Sequence, residues 1–311
     1  MSLLINGARL ADGTITDLYL SDGILADPAS APAGVERFDA DGLLALPGLV
    51  DLHTHLRQPG REDAETVDSG TAAAARGGYT CVHAMANTDP VTDTAEAAEY
   101  VHGLGEREGH CQVQVVGAVT KGLAGEELAE LGMMADSKAK VRVFSDDGRC
   151  VADSLLMRRA LTYVKSFNGM VAQHSQDPRL AGPTACCHES EWSGRLGLPG
   201  WPAQAESVIV ARDVELAALT DSRVHVCHVS TAESVEIIRW AKKRGVKVTA
   251  EATPHHLLLD TPLVASYDTT FKVNPPLRTS EHVEAVRDAL ADGTIDVVGT
   301  DHAPHARQDK D

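Results

Sequence analysis

The feature that most constrains the fold of this chain is a regular alternation of short β-rich runs with helical stretches, beginning at Pro47. The strand candidates are Gly48–His53, Tyr79–Met85, Gln112–Ala118, Val141–Ser145, Met170–His174, Val224–His228, Val246–Glu251 and Ile295–Thr300. Helix candidates lie between them, near residues 64–76, 93–108, 124–136, 153–166, 203–220, 231–244 and 280–292. Eight strands that alternate with helices predict an α/β fold, a parallel (β/α)8 TIM-type barrel.

Residues 1–46 show a different pattern, in which short alternating runs are broken by turn pairs. Asn6-Gly7 and Asp22-Gly23 follow apolar runs, and Asp41-Gly42 precedes another. Such pairs are hairpin signals. We therefore expect a small β unit at 1–46, the N-terminal part of a β-sandwich, followed by a barrel at 47–311. The chain stops about ten residues after the eighth strand candidate, so we expect the eighth helix and the C-terminal β-strands to be missing from it.

Composition excludes several classes of protein. The 311 residues are 43% hydrophobic, which is enough for a folded core. The net charge of −17 and the 4% aromatic content oppose binding to nucleic acids or to anionic membranes. No apolar run approaches the roughly 18 residues of a membrane span. The six cysteines show no CxxC spacing, and no basic segment typical of a signal peptide opens the chain. We expect a cytoplasmic enzyme with free thiols.

Metal-ligating side chains recur where the predicted strands end. His53 and His55 follow an apolar run two positions apart, and alternation along a strand directs both to one face. Each such residue alone has a structural explanation, such as capping a helix or a backbone group. Together they converge on the C-terminal rim, where barrels carry their active sites. The further candidates at this rim are Asp146, Asp147, His174, His228 and Asp301. His225, three residues before His228, is expected on the opposite face.

The composition of this predicted cluster indicates the kind of metal. Nitrogen and oxygen ligands without thiolates suit Zn²⁺, and less specifically Mn²⁺ or Co²⁺. Four histidines plus carboxylates exceed what one catalytic ion with an open position requires. One or two ions are therefore expected, and a two-metal site is favoured.

Several strings of the sequence resemble the dihydroorotases of the amidohydrolase superfamily, in family order and over nearly the whole chain. These strings are PGLVDLHTHLR at 47–57, MANT at 85–88, FSDDG at 144–148, HVS at 228–230, NPPLR at 274–278 and TDHAPH at 300–305. The SDDG string is similar to the bacterial type I branch, whereas other branches and hydantoinases carry a carboxylated lysine on the fourth strand. Here that strand contains no lysine, although Lys138 and Lys140 lie just before it.

The resemblance implies a role for each matching residue. His53, His55 and Asp147 would hold one ion, and His174, His228 and Asp147 the other, with Asp146 as the alternative bridging ligand. Asp301 would contact the first ion and act as general acid and base. Arg57, Asn87 and His305 would bind the ring carboxylate of dihydroorotate, and Asn274 would reach the ring. Arg57 follows His55 by two residues and would share its face if the extended backbone continued. Pairing of Arg57 with Glu62 or Asp63, and a turn role for Asn87, are the structural alternatives.

The resemblance implies an enzyme that interconverts N-carbamoyl-L-aspartate and dihydroorotate in pyrimidine biosynthesis. Two rival interpretations remain open, a hydantoinase- or allantoinase-like hydrolase and a catalytically silent scaffold that binds aspartate transcarbamoylase. The missing lysine of the fourth strand opposes the first, and the complete ligand set opposes the second. We expect a homodimer, with association to aspartate transcarbamoylase left open.

Overall fold

The computed structural model describes residues 2–310, and its chain separates into two units, of which the first ends at Leu49 and the second begins at Val50. The strands of the first unit are β1 (Ser2–Arg9), β2 (Ile15–Ser21), β3 (Ile24–Ala26) and β4 (Glu36–Asp39). They form a four-stranded sheet in the order β3-β2-β1-β4. Strand β1 pairs antiparallel with β2 and parallel with β4, and β2 pairs antiparallel with β3.

Of the three predicted turns in this unit, Asp22-Gly23 and Asp41-Gly42 are confirmed and Asn6-Gly7 is wrong. Asp22 and Gly23 both have positive φ, 50° and 80°, and form the two-residue connection between β2 and β3. Asn6-Gly7 is not a turn, because it lies inside β1, where the register with β2 shifts between Ile5 and Ala8. Gly7 has φ +70° there. A glycine with positive φ suits a β-bulge as well as a turn, so the dipeptide alone does not separate the two.

The second unit contains the predicted barrel, whose eight strands follow the expected order. They are β5 (Leu49–Thr54), β6 (Tyr79–Ala84), β7 (Gln112–Val115), β8 (Val143–Phe144), β9 (Met170–Gln173), β12 (Val224–Val226), β13 (Val248–Ala252) and β14 (Val297–Val298). They form the hydrogen-bonded series β5-β6-β7 and β14-β13-β12-β9-β8. Two parallel bridges, Gly117 with Phe144 and Thr54 with His302, join these series into a closed barrel. A further pair, β10 (Cys187–His188) and β11 (Gly200–Trp201), lies in the insertion after β9.

All seven predicted helices are present, and additional short ones lie in the loops. The helices are α1 (Val67–Arg76), α2 (Ala95–Glu108), α3 (Leu131–Asp136), α4 (Ser154–Lys165), α5 (Pro178–Ala181), α6 (Glu191–Leu196), α7 (Gln204–Thr220), α8 (Ala232–Lys243), α9 (Pro254–Leu258) and α10 (Ser280–Ala291). Short 3-10 segments occupy Pro28–Ser30, Lys121–Leu123, Thr261–Ser266, Thr269–Phe271 and Arg307–Asp309. Within the described residues no helix is both long and apolar enough to cross a membrane.

The third helix, α3, is shorter than the predicted span 124–136, because its first half is a loop. Gly125, in this loop, has a φ of 72°, which a continuous α-helix excludes. The barrel helices bury one face each, as in α4, where Leu156, Ala160 and Val164 are buried at helical spacing. These faces cover the outward side chains of the strands and leave the inward side chains to form the site.

Candidate metal centre

The first barrel strand turns His53 and His55 to the same side, as its alternation predicts. His53 and His55 are both buried, and Asp51, two residues earlier, is buried on the same face. The Asp51 carboxylate accepts hydrogen bonds from the backbone N of His53 at 3.2 Å and of Thr300 at 3.0 Å. It therefore ties the end of β5 to the segment that leads into Asp301.

One group of donor atoms lies at the ends of β5, β8 and β14. His53 Nε2 and His55 Nε2 lie 3.4 Å and 3.3 Å from Asp147 Oδ2. The same nitrogens lie 3.4 Å and 3.1 Å from Asp301 Oδ1. All four ligand atoms are within 4.8 Å of one another. Such a spacing fits donors arranged around one ion.

A second group shares Asp147 with the first. Asp147 Oδ1 lies 3.1 Å from His174 Nδ1 and 3.0 Å from His228 Nε2, and these two nitrogens are 2.9 Å apart. The Asp147 carboxylate therefore directs one oxygen to each group. A carboxylate in this position is suited to bridge two cations.

Asp146 and Asp147 follow the same strand but have different surroundings. The Asp146 carboxylate accepts hydrogen bonds from the backbone N of Val119 at 2.8 Å and of Thr120 at 3.0 Å, and from the Thr120 hydroxyl. It fixes the loop after β7 and faces away from the histidines. The structure therefore brings Asp147 to the histidines and leaves its alternative, Asp146, in the neighbouring loop.

Three residues at the rim have left-handed backbone conformations, which corrects two expectations. Arg57, His228 and Asp301 have φ values of 62°, 32° and 48°. Because the extended backbone ends at Thr54, the expected continuation that places Arg57 on the His55 face does not occur. His225 also does not face away from the site: strand β12 ends at Val226, and the positive φ of His228 breaks the alternation. His225 Nε2 instead lies 3.2 Å from Glu251 Oε2, inside the barrel.

Polar partners orient three of the histidines through their second ring nitrogen. His55 Nδ1 donates to Asn87 Oδ1 at 2.8 Å, and His174 Nε2 donates to Gln176 Oε1 at 2.7 Å. His53 Nδ1 lies 2.5 Å from Glu251 Oε1. The sequence analysis assigned no role to Gln176 or Glu251. For Glu251 a signal was available, because this carboxylate is the last residue of the seventh strand candidate, the position from which other strands supply ligands.

The predicted substrate-binding residues lie at the same rim and differ in burial and in hydrogen-bond partners. Arg57 is buried, and its Nε donates to the backbone O of Pro304 at 2.9 Å. In the described part of the chain it forms no ion pair with Glu62 or Asp63. Asn274 Nδ2 donates to Gln176 Oε1 at 3.3 Å, which brings Asn274 close to His174. His305 is half exposed, and its Nδ1 lies 3.9 Å from Asp309.

Charges in the cluster shift the protonation equilibria of its members. Burial lowers the pKa of His53, but the carboxylates of Asp147, Glu251 and Asp301 outweigh burial and raise it well above the ordinary value. Burial raises the pKa of Asp301, but the charge of His53 and the hydrogen bond from His55 reduce it to about 2. Asp301 is therefore a carboxylate at neutral pH, available to accept a proton.

The donor set fits a divalent metal ion. His53 Nε2 is completely buried and has no hydrogen-bond partner, although a buried polar atom without a partner is unfavourable. It points toward the oxygens of Asp147 and Asp301. In the neutral ring this nitrogen has a lone pair beside two carboxylates, and such a set of donor atoms suits a divalent cation.

Comparison with known proteins identifies the family of this chain. The family model described as Dihydro-orotase-like matches residues 42–234. A dihydroorotase of Leifsonia xyli subsp. xyli is 62% identical over 312 residues, with 100% of this chain and 71% of that protein covered. The dihydroorotase of Mycobacterium tuberculosis is 52% identical over 314 residues, covering 100% of this chain and 73% of that protein.

Solved structures give the same architecture. An L-hydantoinase (dihydropyrimidinase) from Arthrobacter aurescens superposes with a TM-score of 0.84 at 22% identity, covering 99% of this chain and 70% of that one. At that identity the superposition supports the barrel fold alone. With the family match and the relatives, the findings show that the chain belongs to the dihydroorotase family.

Proposed function

We propose that this protein interconverts N-carbamoyl-L-aspartate and (S)-dihydroorotate, in de novo pyrimidine biosynthesis, with the site at the C-terminal rim of its barrel. The observation that carries the proposal is the pair of donor groups that share the Asp147 carboxylate. The names of the relatives support the substrate class.

Two zinc ions fit the donor set best. His53, His55, Asp147 and Asp301 would hold one, and Asp147, His174 and His228 the other, since imidazole and carboxylate without thiolate suit Zn²⁺. When bound, such ions supply Lewis acidity, which polarises the scissile carbonyl and makes water a better nucleophile at neutral pH.

Asp301 is the residue that moves the proton. As a carboxylate it accepts a proton from the attacking water while the new C–O bond forms at the ring carbonyl. The protonated Asp301 then donates to the ring nitrogen as the C–N bond breaks, which returns the carboxylate. In the synthetic direction the same residue takes the proton from the carbamoyl nitrogen as the ring closes. The side chain of Asp301 is 11% exposed, so substrate can reach it.

Arg57, Asn87, Asn274 and His305 would bind the substrate. The bond from Arg57 Nε to Pro304 fixes the guanidinium plane, and the two Nη groups suit a bidentate contact with the ring carboxylate. Asn87 uses its carbonyl oxygen for His55, and its amide nitrogen is the donor left for the carboxylate. Asn274 reaches the same region through Gln176.

The same interpretation predicts the cellular compartment and the oligomeric state of the enzyme. We infer a cytoplasmic homodimer, and the six free cysteines are the form expected in a reducing compartment. Sedimentation of the purified protein, alone and with aspartate transcarbamoylase, tests both the dimer and the alternative association.

The test of the proposed function is the absorbance of dihydroorotate with purified protein before and after removal of metal by a chelator. We expect hydrolysis that is lost with the metal and restored by Zn²⁺. Dihydrouracil and hydantoin, which lack the ring carboxylate, serve as control substrates. Faster turnover of either control, or turnover that survives verified metal removal, would overturn the proposal.

A further inference from the structure

A buried carboxylate that belongs to neither donor group lies directly behind the metal centre. Glu251, on β13, is 1% exposed. Its Oε1 is 2.5 Å from His53 Nδ1 and 3.3 Å from the backbone N of His228, and its Oε2 is 3.2 Å from His225 Nε2. Glu251 therefore contacts two of the four histidines of the site, His53 through the ring nitrogen opposite its site-facing one and His228 through its backbone N.

These distances favour a hydrogen bond over a further metal site. His53, Cys227 and Glu251 have ligand atoms within 4.8 Å of one another. Two ligands of a tetrahedral zinc ion with bonds of 2.0–2.1 Å lie about 3.3 Å apart. The 2.5 Å separation of His53 Nδ1 and Glu251 Oε1 is too short for that and is a hydrogen-bond distance.

The hydrogen bond determines which nitrogen of His53 carries a proton. A carboxylate accepts only, so Nδ1 must be the donor, and in the neutral form of the ring Nε2 keeps its lone pair. Nε2 is the buried atom without a partner, 3.4 Å from both Asp147 Oδ2 and Asp301 Oδ1. The tautomer that Glu251 selects is therefore the one that can bind a metal ion on the site-facing side.

The surroundings of Glu251 hold its carboxylate in this orientation. His225 Nε2 donates to Oε2, and His225 Nδ1 in turn contacts the Thr249 hydroxyl at 2.8 Å. A Cβ at Gly299 would lie 2.6 Å from Oε2, so the absence of a side chain at this position makes room for the carboxylate. Hydrogen bonds to both oxygens therefore fix the orientation of the Glu251 carboxylate.

We propose that Glu251 is a positioning residue of the metal centre. It fixes the Nδ1–H tautomer and the ring orientation of His53, and through the backbone N of His228 it holds the left-handed turn that presents that ligand. Carboxylates that accept the second N–H of a metal-binding histidine raise its basicity and orient it. The inference rests on the proposed function, because it assigns Glu251 to the proposed metal ligands.

The first test compares Glu251→Gln with Glu65→Gln. Glu65 also accepts from an imidazole, His302 Nε2 at 2.9 Å, but His302 belongs to neither donor group. Zinc affinity is measured by competition with a chromophoric chelator, and thermal melting checks folding. We expect Glu251→Gln to weaken zinc binding about 10- to 100-fold and Glu65→Gln to leave it unchanged.

The outcomes separate the two proposals. Wild-type affinity in Glu251→Gln overturns this inference and leaves the proposed function standing. Failure of the unsubstituted protein to bind zinc overturns the proposed function, and this inference with it.

A second measurement needs no folded Glu251 variant. In the unsubstituted, metal-free protein labelled with ¹⁵N-histidine, NMR at a pH where the His53 ring is neutral reports which ring nitrogen carries the proton, and the His53 signals are those lost in His53→Asn. We expect His53 to be protonated at Nδ1, with a proton shifted downfield by the short bond to Glu251. Protonation at Nε2 alone would show that Glu251 does not set this tautomer.

Discussion

At the residue scale, the proposed chemistry depends on Asp301, whose Oδ1 lies 3.1 Å from His55 Nε2 and 3.4 Å from His53 Nε2. Asp301→Asn keeps an oxygen for the site but cannot accept the proton. We expect the metals to be retained and turnover of dihydroorotate to fall at least about 10²- to 10⁴-fold, the range of general acid–base groups. Metal analysis and steady-state kinetics measure the two effects. Asp221→Asn, at a surface pair with Lys165, is the control, and near-normal turnover of Asp301→Asn would exclude the assigned role.

The proposed contact of Arg57 with the ring carboxylate gives a prediction about substrate specificity rather than about the proton transfer. Lysine keeps the charge but lacks the planar fork, and it cannot make the bond from Nε to Pro304. Loss of a charged bidentate contact is worth about 1.5–3 kcal/mol, so we expect KM for dihydroorotate to rise about 10- to 100-fold in Arg57→Lys.

The preference for dihydroorotate over dihydrouracil should fall in parallel. Arg61→Lys, at an exposed pair with Asp309, is the matched control. If Arg57→Lys leaves both KM and the preference unchanged, another group binds the carboxylate.

Residue types at strand ends predicted the donor atoms that the structure brings together. They did not predict the groups that accept hydrogen bonds from the other ring nitrogen of these histidines. His53 and His55 could be paired from spacing alone, because strand alternation is local. Glu251 could not be assigned, because its contact with His53 joins residues 198 positions apart. The direction of His225 was predicted wrongly, because alternation holds only while the backbone stays extended, and His228 has φ +32°.

At the element scale, local signals describe the barrel helices well where apolar spacing and a cap coincide. Helix α4 has both: Leu156, Leu161 and Val164 are buried on one face, and Asp153 accepts from the backbone N of Leu156 at 2.7 Å. Helix α3 lacks a side-chain cap, and its predicted first half is a loop. Gly125, inside that half, has a φ of 72°, a backbone conformation that apolar spacing does not reveal.

The cap of α4 gives a prediction about stability. Asp153→Ala removes the acceptor for Leu156 N, and we expect a loss of about 1 kcal/mol. In a protein of this size such a loss lowers Tm by about 2–4 °C. Asp153→Asn retains an oxygen acceptor and should melt close to the unsubstituted protein. An equal decrease in both variants would indicate that the charge, not the cap, matters at this position.

At the scale of the whole molecule, closure of the barrel is what assembles the site. The bridge of Thr54 with His302 places the last strand beside the first, so that Asp301 meets His53 and His55 across almost 250 positions of sequence. The strand–helix alternation predicts this closure, and the structural comparison confirms the barrel. The contacts at the seam, such as Asp51 with Thr300, depend on side-chain packing that alternation does not specify.

A buried polar network around Arg278, which links His188 of β10 to Ser230, predicts that global stability depends on pH. His188 is 6% exposed, and its Nδ1 lies 3.1 Å from Nη1 of Arg278, so this nitrogen accepts and the ring is neutral. Burial, the Arg278 charge and the nearby His282 together lower the pKa of His188 to about 4.

The sign of the effect follows from linkage. An unfolded histidine binds a proton as the pH falls through about 6.5, whereas His188 in the native protein does so only near pH 4. Between these values the unfolded state holds more protons, and the free energy of unfolding decreases as the pH falls. Glutamine at this position keeps an acceptor for Arg278 but does not titrate. We therefore expect urea unfolding at pH 7 and pH 5 to show a smaller loss of stability on acidification in His188→Gln than in the unsubstituted protein. An equal loss in both would show that His188 is not the group that links folding to protons over this range.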